Sequence, residues 1–205
     1  MEPQAAWAEE LSIRIDATYR ELTRIQHPRD GSSSLEGLAH RKFFLRREVY
    51  RIWVPHLSSV VDMIVSGDEE KEWVREHLLL TLCILIRISA QKAIRNFREW
   101  FLVGSYTNLD RHLPVDRRAL VFLDEAKRDL FHDIQHQFTP VVINQGTDNH
   151  AQLIAHRPIP YEVVAKSANH GAFGLIDKIK IAPGHITVGD RGYENVRSVP
   201  AITQV

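Results

Sequence analysis

The stretch LLLTLCILI, residues 78–86, decides how this chain can fold, because every side chain in it except Thr81 is apolar. Glu76, His77 and Arg87 flank the run on its two sides. As a helix it would cover only about half of the hydrocarbon core of a bilayer. We therefore predict that it forms a buried helix of a folded protein and not a membrane span.

The composition agrees with a folded globular chain. Of 205 residues, 44% are hydrophobic and 25% are charged, which argues against a fully disordered protein. The 26 basic residues balance the 26 acidic residues, so no net positive field is present to attract nucleic acid. Cys83 is the one cysteine, and the N-terminal sequence MEPQAAWAEELS lacks the layout of a signal peptide. We expect an intracellular, cytoplasmic protein.

Helical spacing of apolar residues extends on both sides of the central run. It predicts a first helix over residues 4–26 and a second over 35–52 that stops before Pro55. The buried stripe of the first helix consists of Leu11, Ile15, Leu22 and Ile25.

Two more helices are predicted, one that contains the central run and one that follows it. Ser66 and Glu69 have the spacing of a capping box, so a long helix, bent or broken on its way, is expected from there to about Gly104. Pro114 and Asp116 announce a last helix. Its apolar face is predicted to contain Leu120, Leu123, Leu130 and Ile134.

The character of the sequence changes near residue 138. Glycine and proline together number 8 before residue 138 and 11 in the shorter part after it. The later part contains β-branched runs and turn residues, with strands expected over Tyr161 to Lys166 and Leu175 to Ile181. We predict a mainly α fold with two parts: a helical region, 1–137, and a short antiparallel β-ribbon with an irregular tail, 138–205.

A glycine-rich segment, ANHGAFGLI at residues 168–176, lies between the two predicted strands. Glycines in such a turn let backbone amides approach phosphate oxygens without interference from a Cβ. The residues after Gly174 alternate as in a strand, which is unlike the dinucleotide-binding fingerprint, where the glycines open a helix. A plain hairpin turn is the alternative reading of this segment.

Several short motifs before and after this loop match those of a known family. They are Phe131, Gln135, Phe138 and Pro140, then Ile159-Pro160-Tyr161, Gly171-Ala172-Phe173-Gly174, and Ile181-Ala182-Pro183-Gly184-His185. With them the stretch from Phe131 onward resembles a family of fungal protein-kinase-like proteins, in which a helical region leads into a kinase catalytic domain. The resemblance implies that the β-ribbon corresponds to the first two strands of a kinase small lobe.

The resemblance also assigns roles to four residues as degenerate ATP-loop positions. Gly171 and Gly174 match the second and third glycines of the kinase loop, Phe173 its tip aromatic, and Ile176 the valine that covers the adenine. Asn169 stands where the family has its first glycine. We expect these positions to be non-functional in nucleotide binding.

The remaining kinase parts are missing from the sequence. Only 31 residues follow Gly174, and Lys180 is the last lysine, so there is no strand-three lysine, catalytic-loop aspartate or DFG motif. We expect a truncated kinase domain without catalytic activity, no cofactor, and a helical region that interacts with a protein partner or regulates one. The alternative is the N-terminal fragment of an ATP-dependent serine/threonine protein kinase, for which ATP and Mg²⁺ would be the cofactors.

Other residues with chemical potential have a structural interpretation beside the functional one. His132 and His136 have metal-ligand spacing, which leaves a metal-assisted hydrolase open, but a solvated helix face is favoured. Cys83 is expected to be a buried thiol and not a nucleophile. The basic stretch from Arg41 to Arg51 is interpreted as the outer side of a helix; the alternative is a surface that binds a membrane or an acidic partner. The four tryptophans are interpreted as core anchors; the alternative is a ligand cage.

Overall fold

The computed structural model describes residues 3–26 and 43–140 and, beyond them, the strands at 143–145, 161–171, 174–181, 186–188 and 191–192. The helices in chain order are α1 Pro3–Arg24, α2 Arg46–Arg51, α3 Ser58–Ile64, α4 Asp68–His77, α5 Leu79–Arg87, α6 Gln91–Arg95 and α7 Glu125–Phe138. Single π-helical turns occupy Trp53–Leu57 and Arg98–Val103, and 3₁₀ turns occupy Leu109–His112 and Arg117–Ala119. The prediction of a mainly α fold is confirmed.

The chain divides into two compact units. One comprises Met1–Gln26 and Arg46–Phe138, and the other comprises His27–Leu45 and Thr139–Val205. We call the first the helical unit. The proposed domain boundaries at 1–137 and 138–205 stay a prediction.

Helix α5 is the centre of the helical unit. All of its residues from Leu79 to Ile86 are buried, and the helix packs against α1, α6 and α7. A fully buried leucine or isoleucine contributes roughly 1.5–3 kcal/mol relative to its exposed state. The prediction of a buried helix is confirmed for Leu79 to Ile86, whereas Leu78 lies at the break before the helix. None of the helices in the described part of the chain is long and apolar enough to cross a membrane.

The N-terminus of α5 is capped by a side chain from elsewhere in the chain. Asp110 accepts hydrogen bonds from the backbone amides of Leu80 and Thr81, both at 2.8 Å, and from the Thr81 hydroxyl at 2.6 Å. These amides have no partner within their own helix, because the first turn of any helix leaves its N–H groups unsatisfied. A carboxylate at this end also interacts favourably with the helix dipole.

Helix α1 covers one side of the core as its spacing predicts. Leu11, Ile15 and Leu22 are buried, whereas Ile25 is partly buried just beyond the end of the helix. Polar contacts orient the helix on α3: the Trp7 indole donates to the carbonyl of Met63 at 3.3 Å, and Arg14 donates to the carbonyl of Ser59 at 3.0 Å.

The predicted long helix from Ser66 is broken into α4, α5, α6 and a π turn. The break between α5 and α6 contains Ser89 with a φ of 52°, a backbone conformation that ends a helix. The predicted capping box is wrong, because Gly67 is the N-cap of α4 and no side chain caps it. The predicted negative charge in the first turn is present as Asp68, Glu69 and Glu70.

Helix α7 begins later than the sequence pattern suggests. Asp124 accepts a hydrogen bond from the Lys127 amide at 2.9 Å and so caps the helix at its start. The buried face of α7 is Phe131, Gln135 and Phe138. Leu130 was predicted on that face and is 44% exposed, because the apolar spacing of Leu120 and Leu123 belongs to the segment before the helix.

The predicted second helix is shorter than expected in its described part. Residues 35–42 lie outside the described residues, and α2 begins only at Arg46. Phe43 and Phe44 are buried but precede α2, so the prediction that they lie on this helix is wrong; Val49 within α2 is buried. Pro55 lies within the π turn that joins α2 to α3.

The strands belong to the second unit and form two sheets. Strands β2 Tyr161–Gly171 and β3 Gly174–Ile181 pair antiparallel, with Gly171 opposite Gly174. Strand β4 Ile186–Val188 pairs parallel with β1 Ile143–Gln145 and antiparallel with β5 Arg191–Gly192.

Candidate functional site

An open pocket of about 370 Å³ lies on the surface of the helical unit. It is lined by Glu69, Glu70 and Trp73 of α4 and by Leu102 and Thr107 from the segment that follows α6. We call it the Trp73 pocket. Its lining combines an aromatic ring, an apolar side chain and two carboxylates, which is the mixture that binding sites use to fix a ligand with both an apolar and a polar part.

Helix periodicity places the α4 residues of the pocket together. Trp73 follows Glu70 by three positions and Glu69 by four, so the three side chains lie on one face of the helix. Val74, the next residue, points to the other side and is fully buried. The burial of Val74 thus fixes the orientation of α4 and turns the Trp73 face outward.

Two contacts hold the Trp73 ring in place. Its indole N–H donates a hydrogen bond to the carbonyl oxygen of Thr107 at 2.8 Å, and the His77 ring lies 4.0 Å from it, tilted by 44°. The residue is nevertheless 42% exposed. Because the N–H group already has a partner, the ring offers a ligand its π surface and its edge rather than a hydrogen-bond donor.

The second wall of the pocket depends on the π turn Arg98–Val103. Phe101 within this turn is fully buried and contacts Phe97 and Phe122 at ring-centroid distances of 4.7 and 4.9 Å. This anchoring leaves the neighbouring Leu102 partly exposed at the pocket.

Gly104 then ends the π turn. A Cβ at this position would lie 2.6 Å from the carbonyl oxygen of Glu99 and 2.8 Å from that of Trp100, so the close passage of the chain requires glycine. The amide of Tyr106 donates to the Trp100 carbonyl at 3.3 Å and brings the chain back toward Thr107.

One carboxylate of the pocket already holds a guanidinium group. Two nitrogens of Arg98, Nε and one terminal nitrogen, donate to Glu70 Oε1 at 3.2 and 2.9 Å. Arg98 is 61% exposed and the Glu70 side chain 30% exposed, so the pair is screened by solvent and contributes little to stability. Glu69 beside it is exposed.

Lys71, between these residues in sequence, is directed elsewhere. Its ammonium group contacts Asp62 of α3 at 2.8 Å and Asp68 at 3.6 Å. The hydrogen bond with Asp62 is the main reason that the pKa of Lys71 is raised above its ordinary value. Lys71 therefore interacts with carboxylates outside the lining of the pocket.

The glycine-loop residues chosen from the sequence lie in the second unit. Gly171 is the last residue of β2, Gly174 is the first residue of β3, and Ile176 lies within β3. Phe173 lies outside the described residues. The backbone register shifts between Lys166 and His170, a segment that includes Asn169. The proposed role of these residues in nucleotide binding stays a prediction.

The other candidate residues of the sequence lie in the helical unit. Cys83 is fully buried in α5, and its pKa is raised well above the ordinary value, first by burial and second by the charge of Asp110. A thiol in this state is protonated at neutral pH and is a poor nucleophile. The prediction that Cys83 acts as a small apolar side chain is confirmed as far as its burial is concerned.

The histidine pair and the basic stretch give no further site. The rings of His132 and His136 lie 5.8 Å apart and perpendicular, and His132 is 3.7 Å from Asp133. Within residues 3–26, 43–140 and the described strands, no group of three histidine, cysteine or acidic residues is placed to hold a metal ion. Arg47 and Arg51 are exposed, as expected for the outer side of α2.

Sequence reasoning missed the pocket because it assigned all four tryptophans to the core. Trp7, Trp53 and Trp100 are partly buried, but the assignment is wrong for Trp73. The spacing of Glu69, Glu70, Trp73 and His77 could have indicated the exposed face of α4. These acidic and aromatic residues share one side of the helix, and Val74 is the buried residue on its other side. Leu102 and Thr107 could not be found in this way, because they reach the pocket only through the turn at Gly104.

Comparisons with protein-family models, with curated proteins and with solved structures find no match to this chain.

Proposed function

We propose that this chain is a non-catalytic interaction or regulatory region of a protein-kinase-like protein, and that the helical unit binds a protein partner. The observation that carries the proposal is the Trp73 pocket, in which an aromatic ring remains exposed on a well-packed helical scaffold. Aromatic residues are enriched at the centres of protein interfaces, where they supply most of the binding energy.

The polar groups inside the helical unit support a non-catalytic role. Asp110 caps α5, and the Gln135 side chain accepts from the amide of Val115 at 2.8 Å and donates to its carbonyl at 2.9 Å. These side chains thus stabilise helix ends and loops. Cys83, the residue with the greatest intrinsic reactivity, is enclosed in the core.

The link to protein kinases rests on the resemblance of the later part of the chain. The landmarks from Ile159 to His185 and the roles they imply for Gly171, Phe173, Gly174 and Ile176 support it. We infer that the strands β2 and β3 correspond to the first two strands of a kinase small lobe.

A second function, the N-terminal fragment of an ATP-dependent serine/threonine kinase, is favoured by one observation. Gly171 and Gly174 stand opposite each other where β2 and β3 meet, which is the position of a phosphate-covering hairpin. In that case ATP and Mg²⁺ bind only when the remaining catalytic residues are supplied.

A phosphotransfer assay on the full 205-residue chain tests whether the chain is non-catalytic by itself, since the second function also requires the remaining catalytic residues for transfer. The chain is incubated with Mg–ATP labelled in the γ-phosphate and a mixture of serine- and threonine-containing peptides. We expect no label in the chain or in the peptides. Transfer that persists after repurification, and that is lost in Gly174→Val, would overturn the non-catalytic function.

The interaction function is tested by selecting displayed random peptides on the immobilised full chain. Each enriched peptide is then tested against Trp73→Leu, which keeps an apolar side chain but removes the ring. We expect enriched peptides whose binding depends on Trp73. If repeated selections enrich nothing that binds the helical unit, the proposal is wrong.

A further inference from the structure

We propose that the Trp73 pocket binds an arginine side chain from a basic segment of the partner protein. This inference rests on the proposed function and names the chemistry of the partner.

The ring favours a cation. Tryptophan is the strongest cation–π partner among the aromatic side chains. The indole N–H of Trp73 is already bonded to the Thr107 carbonyl, and the His77 ring lies 4.0 Å from the indole. The part of the π surface that His77 does not cover is what a ligand can contact, and Trp73 is 42% exposed. Leu102 on the opposite wall provides an apolar contact for the methylene stem of a long side chain.

The carboxylates favour the same sign of charge. Glu69 and Glu70 both line the pocket, one and two positions after the start of α4. Their negative charges would repel a phosphate or an acidic peptide, which argues against an anionic ligand. A neutral apolar ligand would leave at least one carboxylate to be desolvated without a compensating partner.

Arg98 shows which cation fits. Its guanidinium group donates through two nitrogens to Glu70 Oε1 at 3.2 and 2.9 Å, so the rim of the pocket accommodates the planar fork of arginine. A guanidinium group can stack on an indole and at the same time hydrogen-bond a carboxylate, which the compact ammonium of lysine does less well. Arg98 is then a competitor for the site.

The size of the pocket suits a single long side chain and the backbone around it. A volume of about 370 Å³ lies at the small end of the range for ligand sites. The pocket is open to solvent, so we expect affinity from a peptide segment with several contacts and not from free arginine.

The binding experiment uses the full chain and short Gly-Ser peptides with a central Arg-Arg pair. Matched peptides carry Lys-Lys, citrulline-citrulline or norleucine-norleucine in its place. The readout is the NMR signal of the Trp73 indole N–H, assigned through Trp73→Phe. We expect this signal to shift with the arginine peptide, less with the lysine peptide, and least with the two neutral peptides. Added salt should weaken the binding.

Three variants test the assigned roles. Glu69→Gln should weaken binding of the arginine peptide about two- to fivefold, the range for an exposed ion pair. Arg98→Gln should strengthen it by a similar factor, because a competing cation is removed. Glu9→Gln is the matched control: it removes the same charge from an exposed position of α1 and should change nothing.

Arg98→Gln also guards against a loss of structure, because unfolding would weaken binding, whereas the proposal expects the opposite. Equal binding of the arginine and citrulline peptides, no binding by any of the four peptides, or weakened binding in Arg98→Gln would overturn the inference. If selected peptides depend on Trp73 but lack basic residues, only the arginine inference fails and the interaction function stands. If selection enriches no binder of the helical unit, the interaction function itself fails.

Discussion

Helices α4 and α5 follow one another in the chain and have nearly the same length, 10 and 9 residues, but they have opposite roles. Helix α5 buries Leu79 to Ile86 and forms the centre of the helical unit, whereas α4 buries Val74 and presents the Trp73 pocket. Leu78, with φ of −137° and ψ of 8°, breaks the helix between them. Because of this break, α5 can pack in the core while α4 exposes the face that lines the pocket.

The largest expected effect concerns the thiol in α5. Cys83 in the folded chain should react with a thiol reagent slower than in the urea-unfolded chain by a factor on the order of 10³ or more, because reaction requires unfolding. For comparison, Glu76→Cys in a Cys83→Ala background places a thiol on the exposed side of α4 and should react rapidly. Similar rates for the two thiols in folded chains would show that α5 is not the closed core.

The next largest effect is expected from a cavity created in α5. Leu82→Ala should lower the free energy of unfolding by about 2–5 kcal/mol, since Leu82 is fully buried. Glu76→Ala on the exposed side of α4 should change it by less than about 0.5 kcal/mol. Urea denaturation followed by circular dichroism measures both. A Leu82→Ala chain as stable as the parent would contradict the central position of α5.

The cap of α5 should follow in size. Asp110→Ala leaves the amides of Leu80 and Thr81 and the Thr81 hydroxyl without this acceptor and should cost about 3 kcal/mol. Asp116 caps the exposed 3₁₀ turn by accepting from the Arg118 amide at 2.7 Å, and Asp116→Ala should cost about 1 kcal/mol. Equal losses in the two variants would contradict the larger contribution that we assign to the three hydrogen bonds of Asp110.

Gly104→Ala tests the turn that brings Leu102 and Thr107 to α4. Its Cβ would meet two carbonyl oxygens of the π turn, so we expect a loss of about 2 kcal/mol and a displaced Trp73 indole signal. At Gly67 a Cβ would approach Glu70 Cγ only to 3.9 Å, and Gly67→Ala should leave that signal in place. A Gly104→Ala chain with unchanged stability and an unchanged signal would contradict the proposed close passage.

The smallest effect is a dependence on pH. Because the pKa of Cys83 is raised in the folded state, its contribution to stability is complete below the ordinary thiol value of 9.0 and declines as the pH rises above it. In that window the unfolded chain loses a proton that the folded chain keeps, at up to about 1.4 kcal/mol per pH unit. Thermal unfolding of Cys83→Ala should show a shallower alkaline decline than the parent chain. An identical decline would show that the thiol is not responsible.

Much of the helical unit could be predicted because its pattern is local. The run at residues 78–86 and the stripe of Leu11, Ile15 and Leu22 both appear buried as expected. Errors arose where a single polar residue determines a boundary. Asp124, rather than Pro114 or Asp116, begins α7, and this shift in phase places Leu130 in solvent.

The candidate site was harder to predict, because its two walls come from distant parts of the chain. Helix periodicity around Trp73 predicts the α4 wall if Trp73 is taken to be at the surface. The other wall depends on a π turn and a glycine whose close contacts involve only backbone atoms, and neither feature has a strong signal in side-chain patterns. The roles inferred for Gly171, Phe173, Gly174 and Ile176 depend on a resemblance and stay proposals.

The distance in sequence between α5 and its cap has a consequence during protein synthesis. While the chain emerges from the ribosome, Leu80 in the first turn of α5 is made 30 residues before its acceptor Asp110. Until then the first turn of α5 lacks this acceptor and its apolar side chains lack the later α7 to pack against. We expect nascent chains that end before Asp110 to be bound by chaperones, and release to coincide with synthesis of α7.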